Sequence, residues 1–297
     1  MKYVITGGAG HISKPLAEAL LKAGHEVTVI GRNAAHLKPL TDLGAKAAIG
    51  SIEDMDFLKS SFKGADAVYT MIPPKMDAAD WKAWIAKMGK NYAEAIKAVG
   101  IKYVVNLSSM GAHMPAGAGP VSGLYYAENA LNALTDVNLL HLRPGYFYDN
   151  FLGSLDMVRH MNIIGSNFGG DGTKLVMTDT ADIAAVAAAA LLKFDFKGHI
   201  VRYIASDERT TADIAKQVGA AINKPDLPWV VFSDEQAVGG MTQAGLPEEV
   251  AKNYAEMGAA LRSNAMAEDY WQHRPETFGK IKLEDFAKRF AAVYNAA

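Results

Sequence analysis

The sequence predicts an α/β fold: a doubly wound parallel sheet joined to a smaller, mostly helical C-terminal lobe. Three observations carry the prediction. A strand, a glycine-rich turn, a helix and a second strand succeed one another within the first 33 residues. Strand and helix patterns then alternate with short connections to about residue 150, the order that builds a parallel sheet with helices on both faces. At 297 residues, half of them apolar, the chain can bury the core such a sheet needs.

Met1-Lys-Tyr-Val-Ile-Thr6 is a short apolar run, and Gly7-Gly-Ala-Gly-His-Ile-Ser13 is the turn. Lys14 to Gly24 follows as an amphipathic helix and His25 to Ile30 as the second strand, leading into Gly31-Arg32-Asn33. Lys46 to Gly50 reads as a third strand, and Ser51-Ile-Glu-Asp54 caps a short helix through Phe62. The fourth strand, Ala65 to Met71, stops at Ile72-Pro73-Pro74, because proline cannot donate to a ladder. A long helix covers roughly Ala79 to Val99 and ends at Gly100, a residue suited to a left-handed cap. Lys102 to Leu107 is the fifth strand, followed by Ser108-Ser109-Met110-Gly111. A loop from Ala112 to Gly123 precedes a helix from about Leu124 to Leu134. Val137 to Leu142 is the sixth strand, closed by Arg143-Pro144-Gly145.

Beyond residue 150 the pattern changes. Phe168 to Gly172 is a loop, Thr180 to Leu192 an alanine-rich helix, and His199 to Ile204 a strand. The expected organisation is therefore a dinucleotide-binding domain over 1–150, with 175–205 returning to its sheet, and a substrate lobe over 151–297. From Asp207 the lobe reads as mostly helical, with Pro225 and Pro228 bracketing a linker before Val230-Val-Phe232 and two further helices ending near Tyr294.

Strand, glycine turn, helix, strand and then a basic residue is the order in which a Rossmann-type unit builds a dinucleotide pocket. Gly7 can take backbone angles other residues resist, and Gly10 presents no side chain to an approaching pyrophosphate. The free amides at the helix start, with its dipole, face the anion. The third glycine of the usual spacing is replaced by Ser13, still small enough for close helix–strand packing. An NAD-selective site places an acid at the end of the second strand, whereas here Gly31 leads to Arg32. A guanidinium fork suits a 2′-phosphate, so NADP(H) is the expected cofactor, with NAD(H) possible. Asn33 offers a further donor and His36 a weaker one; the alternative for Arg32 is a solvated loop cation.

Composition narrows the remaining classes. The net charge is −2, which points to neither nucleic acid nor a membrane surface as partner. The chain has no cysteine, which removes thiolate metal sites, disulfides and cysteine nucleophiles. With no signal-like segment or long apolar span, a cytoplasmic monomer or homodimer is expected. His11, His25 and His36 lie in separate elements without ligand spacing, so no metal site is expected.

Four landmarks together resemble the NmrA-like branch of the atypical short-chain dehydrogenases/reductases. They are Thr6-Gly-Gly-Ala-Gly10 with Ile12, Val29-Ile-Gly-Arg32, Asn106-Leu-Ser-Ser109, and Leu142-Arg-Pro-Gly-Tyr-Phe147 with Asn150. Glu128 also matches the glutamate that family carries before the sixth strand. Its members include NADPH-dependent quinone reductases, triphenylmethane-dye reductases and redox-sensing regulators. The resemblance implies that Thr6, Gly7, Gly10, His11 and Ile12 line the pyrophosphate and that Arg32 meets the 2′-phosphate. It places Ser51 and Ile52 by the adenine, Met71, Ile72 and Pro73 along the ribose, and Leu107, Ser108, Tyr146 and Phe147 around the nicotinamide and substrate.

The Tyr-x-x-x-Lys pair of most short-chain dehydrogenases is missing. By family spacing its places fall on Pro120 and Leu124, and within Tyr125-Tyr126-Ala127-Glu128-Asn129 an asparagine stands where the lysine would be. An asparagine cannot supply the charge that lowers a tyrosine pKa. A quinone or similar conjugated acceptor tolerates that loss, because it is already electrophilic and solvent can deliver protons. Tyr126 and Ser109 are the candidate catalytic donors, while Met110, His113, Tyr146, Phe147 and Asn150 are the candidate contacts to an aromatic or conjugated substrate. Two other readings stay open: a non-catalytic NADP(H)-sensing regulator, and an enzyme of the sugar-nucleotide epimerase or dehydratase type. Tyr270 to Pro275 reads either as a helix end packing its aromatics or as the border of the substrate mouth.

Overall fold

A computed structural model describes residues 1–296. Its first half runs β1 (Lys2–Ile5), α1 (Ser13–Lys22), β2 (Glu26–Gly31), α2 (Ala34–Thr41), β3 (Lys46–Ile49), α3 (Met55–Phe62), β4 (Ala67–Thr70), α4 (Trp81–Val99), β5 (Tyr103–Leu107), α5 (Pro120–Asn132) and β6 (Asn138–Pro144). The chain continues through β7 (Tyr146–Phe147), a 3-10 segment (Tyr148–Ser154), α6 (Leu155–His160), β8 (Ile164–Ser166), β9 (Lys174–Thr178), α7 (Thr180–Lys193) and β10 (His199–Ile204). β11 (Asp207–Thr210), α8 (Thr211–Ala221), β12 (Trp229–Val231), α9 (Asp234–Gln243), α10 (Glu248–Arg262), α11 (Glu268–Gln272) and α12 (Leu283–Asn295) complete it.

Seven strands form one sheet in the order β10-β6-β5-β4-β1-β2-β3, all of their pairings parallel. Side chains alternate between two cores because successive residues of a strand point to opposite faces. Tyr3, Ile5, Val105 and Leu140 pack with α1 and α7 residues such as Leu16, Leu20, Ile183 and Leu191. Val4, Val68, Val104 and Leu139 face the other way, onto Leu58, Phe62, Tyr92 and Ile96 of α3 and α4. Each such fully buried apolar side chain contributes about 1.5–3 kcal/mol. Helix starts follow local chemistry: Asn33, Asp54 and Asp80 each accept a hydrogen bond from a first-turn amide. Gly100 ends α4 at φ 73°.

α5 starts at Pro120, four residues before the position expected from its apolar pattern, because proline's fixed φ suits the first turn of a helix. Two small sheets were not expected, β11-β9-β7 and β12-β8. Within 175–205, β10 joins the main sheet beside β6 and α7 covers its face, whereas β9 pairs with β7 and β11. Among the described residues four α-helices follow β12, not two. α9 is started by a reciprocal Ser233–Gln236 capping box, and Glu248 and Glu249 occupy the first turn of α10, where carboxylates favour the helix dipole. The lobe has its own aromatic core, in which Tyr148, Phe151, Phe168, Tyr270, Phe286 and Phe290 are buried. Among the described residues no helix is long and apolar enough to cross a membrane.

The chain passes between sheet and lobe at Gly145, at Thr178–Asp179 and at Ala205–Ser206. Thr178 joins these passages: its hydroxyl accepts from the Gly145 amide at 2.9 Å and donates to the Ile204 carbonyl at 2.6 Å. The Ser206 amide donates to Met177 O at 2.7 Å, and the Ser206 hydroxyl accepts from Asp179 N at 2.9 Å.

Candidate active site

β1 lies between β4 and β2, so the glycine turn leaves the sheet where strand order reverses, the place where open α/β sheets bind ligands. Gly7 has φ +94°, and a Cβ there would stand 2.5 Å from Ser13 Oγ and 2.7 Å from the Met71 side chain. Ser13 replaces the third glycine without an unpaired hydroxyl, since its Oγ donates to Thr6 O at 2.9 Å. Thr6 is buried, and its Oγ1 accepts from Met71 N at 2.8 Å and donates to Met71 O at 3.2 Å. It therefore stitches the ends of β1 and β4 together rather than facing the cleft. Ile12 is likewise buried, in the core beneath the turn.

A cleft of about 870 Å³ opens over this turn. It brings together Gly7, Gly10, Arg32, Ser51, Ile52 and Pro73 of the expected cofactor residues, and His11 borders a smaller cleft adjoining it. Met71, Ile72, Leu107 and Ser108 line neither. Arg32 is exposed and forms no ion pair among the described residues. Asn33 uses its Oδ1 to cap α2 through Ala35 N at 2.8 Å, which leaves its amide group as a donor. His36 also lines this cleft.

Lys14, Glu53, Lys75, Asp77 and Trp84 line the same cleft and were not singled out from sequence. Lys14 was within reach of pattern reasoning, being in the first turn of the helix after the glycines. The others depend on the path of the Pro73–Asp80 loop, which no periodicity describes.

The smaller cleft, about 390 Å³, adjoins Gly10 and Lys14 on the side of the C-terminal helix. His11 Nδ1 lies 3.0 Å from Asp149 Oδ2, and Arg289 of α12 contacts both Asp149 and Asp179. Asp149, next to the expected Asn150, thus ties the glycine turn to the lobe.

At the carboxyl end of β5, Ser108 is buried and its amide donates to Leu142 O at 2.8 Å. Its hydroxyl has no partner among the described residues, and buried polar groups of that kind call for a ligand or a water. Ser109 Oγ donates to Met110 O at 2.9 Å. Met110 is buried in the core of the lobe. Tyr146 packs against Phe151 and Phe168, with ring centroids 5.2 and 5.6 Å away. Burial raises its hydroxyl pKa well above the ordinary tyrosine value, and neighbouring Tyr254 adds to the rise while a hydrogen bond with Asn150 opposes it. Phe147 packs on the core of the dinucleotide-binding half. Tyr126 is 48% exposed, its ring edge-on to Tyr125 at 5.1 Å. Neither Tyr126 nor Ser109 borders either cleft. The His113 Nδ1 is buried without a partner among the described residues.

Just before Tyr146, Arg143 anchors the end of β6. Its Nε and Nη2 donate to the two Glu128 carboxylate oxygens at 3.0 and 2.6 Å. Its Nη1 donates to Tyr203 Oη at 3.1 Å and to Asp269 Oδ2 at 2.9 Å. Burial opposes the Arg143 charge, but Glu128 and Tyr203 outweigh it and hold the guanidinium above its usual value. At Asp269, the Tyr203 hydroxyl, Arg143, His273 and His113 outweigh the effect of burial and lower the carboxyl pKa.

A family model described as NAD(P)H-binding matches residues 7–194. NAD(P)H azoreductase from Xenophilus azovorans is 26% identical over 298 residues, covering 99% of each chain. The NADPH-dependent quinone oxidoreductase of Escherichia coli, solved with NADPH, superposes with a TM-score of 0.79 at 20% identity over 97% of this chain and 99% of that one. The triphenylmethane reductase of Citrobacter sp., solved with NADP(H), gives 0.78 at 18% identity over 97% and 99%. The two solved structures establish the likeness of fold.

Proposed function

Since the chain belongs to the NAD(P)H-binding family, as its motifs imply, we propose that it is an NADPH-preferring oxidoreductase that passes hydride directly to a quinone-like or other conjugated acceptor. The observation that carries this reading is Arg32, a guanidinium without an ion pair among the described residues, at the end of β2 in a cleft that runs to the glycine turn. An azoreductase similar along the whole chain supports the same substrate class.

The residues fit the dinucleotide. Gly7, Gly10 and Lys14 offer open backbone and a cation to a pyrophosphate, Arg32 a fork to a 2′-phosphate, and Ser51, Ile52 and Pro73 a wall for the adenosine. Thr6 and Met71 hold the strand ends that shape this cleft. When bound, the dinucleotide supplies the hydride, and one proton from solvent completes the two-electron reduction of a quinone to a hydroquinone. Tyr146, Phe147 and Asn150, which follow β6, are assigned to the acceptor, and the unpartnered Ser108 hydroxyl, at the end of the neighbouring β5, to the carboxamide end of the cofactor; none of the four lines either cleft. Tyr146 stays protonated through neutral pH, so it can donate a hydrogen bond to an acceptor oxygen that gains charge. His11 meets Asp149 at 3.0 Å beside the glycine turn.

The test is NADPH and NADH consumption across quinones, azo dyes, triphenylmethane dyes and simple aldehydes, with cofactor binding followed in the same samples. Oxidation with the conjugated acceptors alone is expected. Tight NADPH binding without turnover on any of them would replace this reading with that of a sensor. Tyr126→Phe and Ser109→Ala locate the proton: a fall in kcat of about tenfold or more identifies a donor, whereas an unchanged kcat assigns the proton to solvent.

A further inference from the structure

β4 and β2 flank β1 in the sheet, so the loop after β4 and the end of β2 form opposite walls of the dinucleotide cleft. Arg32 stands on one wall and Lys75 on the other. The cleft also carries two carboxylates, Glu53 and Asp77. Left unbalanced, these would repel the phosphates that the glycine turn attracts.

The Lys75 ammonium sits 3.6 Å from Glu53 Oε1 and 3.4 Å from Asp77 Oδ1. Both contacts are longer than the about 2.7–2.9 Å of a charge-assisted hydrogen bond. Lys75 therefore offsets both carboxylates without committing its N–H donors to either. The ammonium lies 5.9 Å from the centre of the Trp84 ring, within range of a cation–π contact. The indole N–H of Trp84 is buried without a partner among the described residues. A lysine held by two long ion contacts and one aromatic face keeps its donors free for a stronger anion.

We propose that Lys75 is a second determinant of cofactor choice: it offsets Glu53 and Asp77 and shares the 2′-phosphate of the bound dinucleotide with Arg32, while Trp84 supports its ammonium. The inference rests on the NADPH preference proposed for this cleft and adds the residue on the opposite wall. Lysine suits this place because its ammonium acts as a compact charge on a flexible stem, whereas the Arg32 fork supplies the directional contact.

The experiment measures dissociation constants of NADPH and NADH, and of adenosine 2′,5′-bisphosphate against AMP, for the wild type, Lys75→Gln, Arg32→Gln and Lys75→Gln/Glu53→Gln. Lys75→Gln is expected to weaken NADPH and the bisphosphate by about tenfold, with NADH and AMP changed less than about twofold. Adding Glu53→Gln removes one of the exposed carboxylates and is expected to restore part of the lost affinity, which loss of loop structure alone would not do. Equal weakening of NADPH and NADH, or no recovery in the double variant, overturns the proposal. If Arg32→Gln abolishes the preference while Lys75→Gln leaves it intact, this inference fails and the NADPH reading stands. If neither variant alters the preference, both fail.

Discussion

Glu128→Ala tests how the end of β6 is held. Glu128 and Arg143 side chains are 5% and 9% exposed and share two hydrogen bonds, at 2.6 and 3.0 Å. Removing one partner of a buried pair costs about 3–5 kcal/mol when the remaining charge is left alone. Here Asp269 still accepts from Arg143 at 2.9 Å, so the expected loss is about 2–4 kcal/mol. With a urea slope of about 3 kcal/mol/M or more for a chain this long, the midpoint falls by roughly 1 M. Glu128→Gln, which retains shape and one acceptor, is expected to lose less. Glu128→Leu with Arg143→Met, which removes the buried pair, is expected to recover part of the loss, the remainder being the guanidinium partner that Asp269 then loses. Urea denaturation followed by tryptophan fluorescence and by circular dichroism reads all three. A Glu128→Ala midpoint within about 0.2 M of wild type, or a double variant no better than the single, would refute the reasoning.

The same geometry sets three further outcomes. Arg32→Ala should weaken NADPH binding by about 1–3 kcal/mol, the scale of a lost charge-assisted bond, with NADH little changed; equal loss in a titration of both would sink the 2′-phosphate assignment. Gly7→Ala forces a Cβ against Ser13 and Met71 at φ +94° and should cost about 1–3 kcal/mol in a melting experiment while weakening both dinucleotides. His141 is buried between Asn106 and Asn132, at 3.0 and 3.1 Å, and burial pushes its pKa down to about 4, with Glu128 opposing and Arg143 adding to the fall. The folded value lies below the unfolded one, so the unfolded chain takes up the proton first. The contribution is complete above about pH 6.5, and about 3 kcal/mol is lost as the pH falls toward 4. Urea midpoints of wild type and His141→Gln across that range check it, and parallel slopes would contradict it.

The dinucleotide-binding half was legible because its signals are local. Asp54, Asp80 and Gly100 mark helix ends wherever they occur, and the glycine turn dictates a helix after β1. Arg32 could be picked out because its position is counted from the strand before it. Lys75, Glu53 and Trp84 escaped notice because they meet only through the path of a proline-started loop, and Asp149 because its partners His11 and Arg289 are distant in sequence. The small lobe sheets were missed for a related reason: β7 has two residues and β12 three, too few for a period-two pattern to register. Thr6 differs in another way: its place in the motif is local, but its β-branched hydroxyl is used inward, bridging two backbones, which only the fold shows.

The three passages that meet at Thr178 restrict how the lobe can move against the sheet. A lobe hung from one strand would swing and twist independently, and its distance from the sheet would be set only by surface contacts. Three side-by-side crossings, bonded through one hydroxyl and its neighbour Ser206, act as one broad seam, and sliding or twisting the lobe strains all of them at once. Thr178→Val, which removes the shared hydroxyl, is expected to loosen that seam.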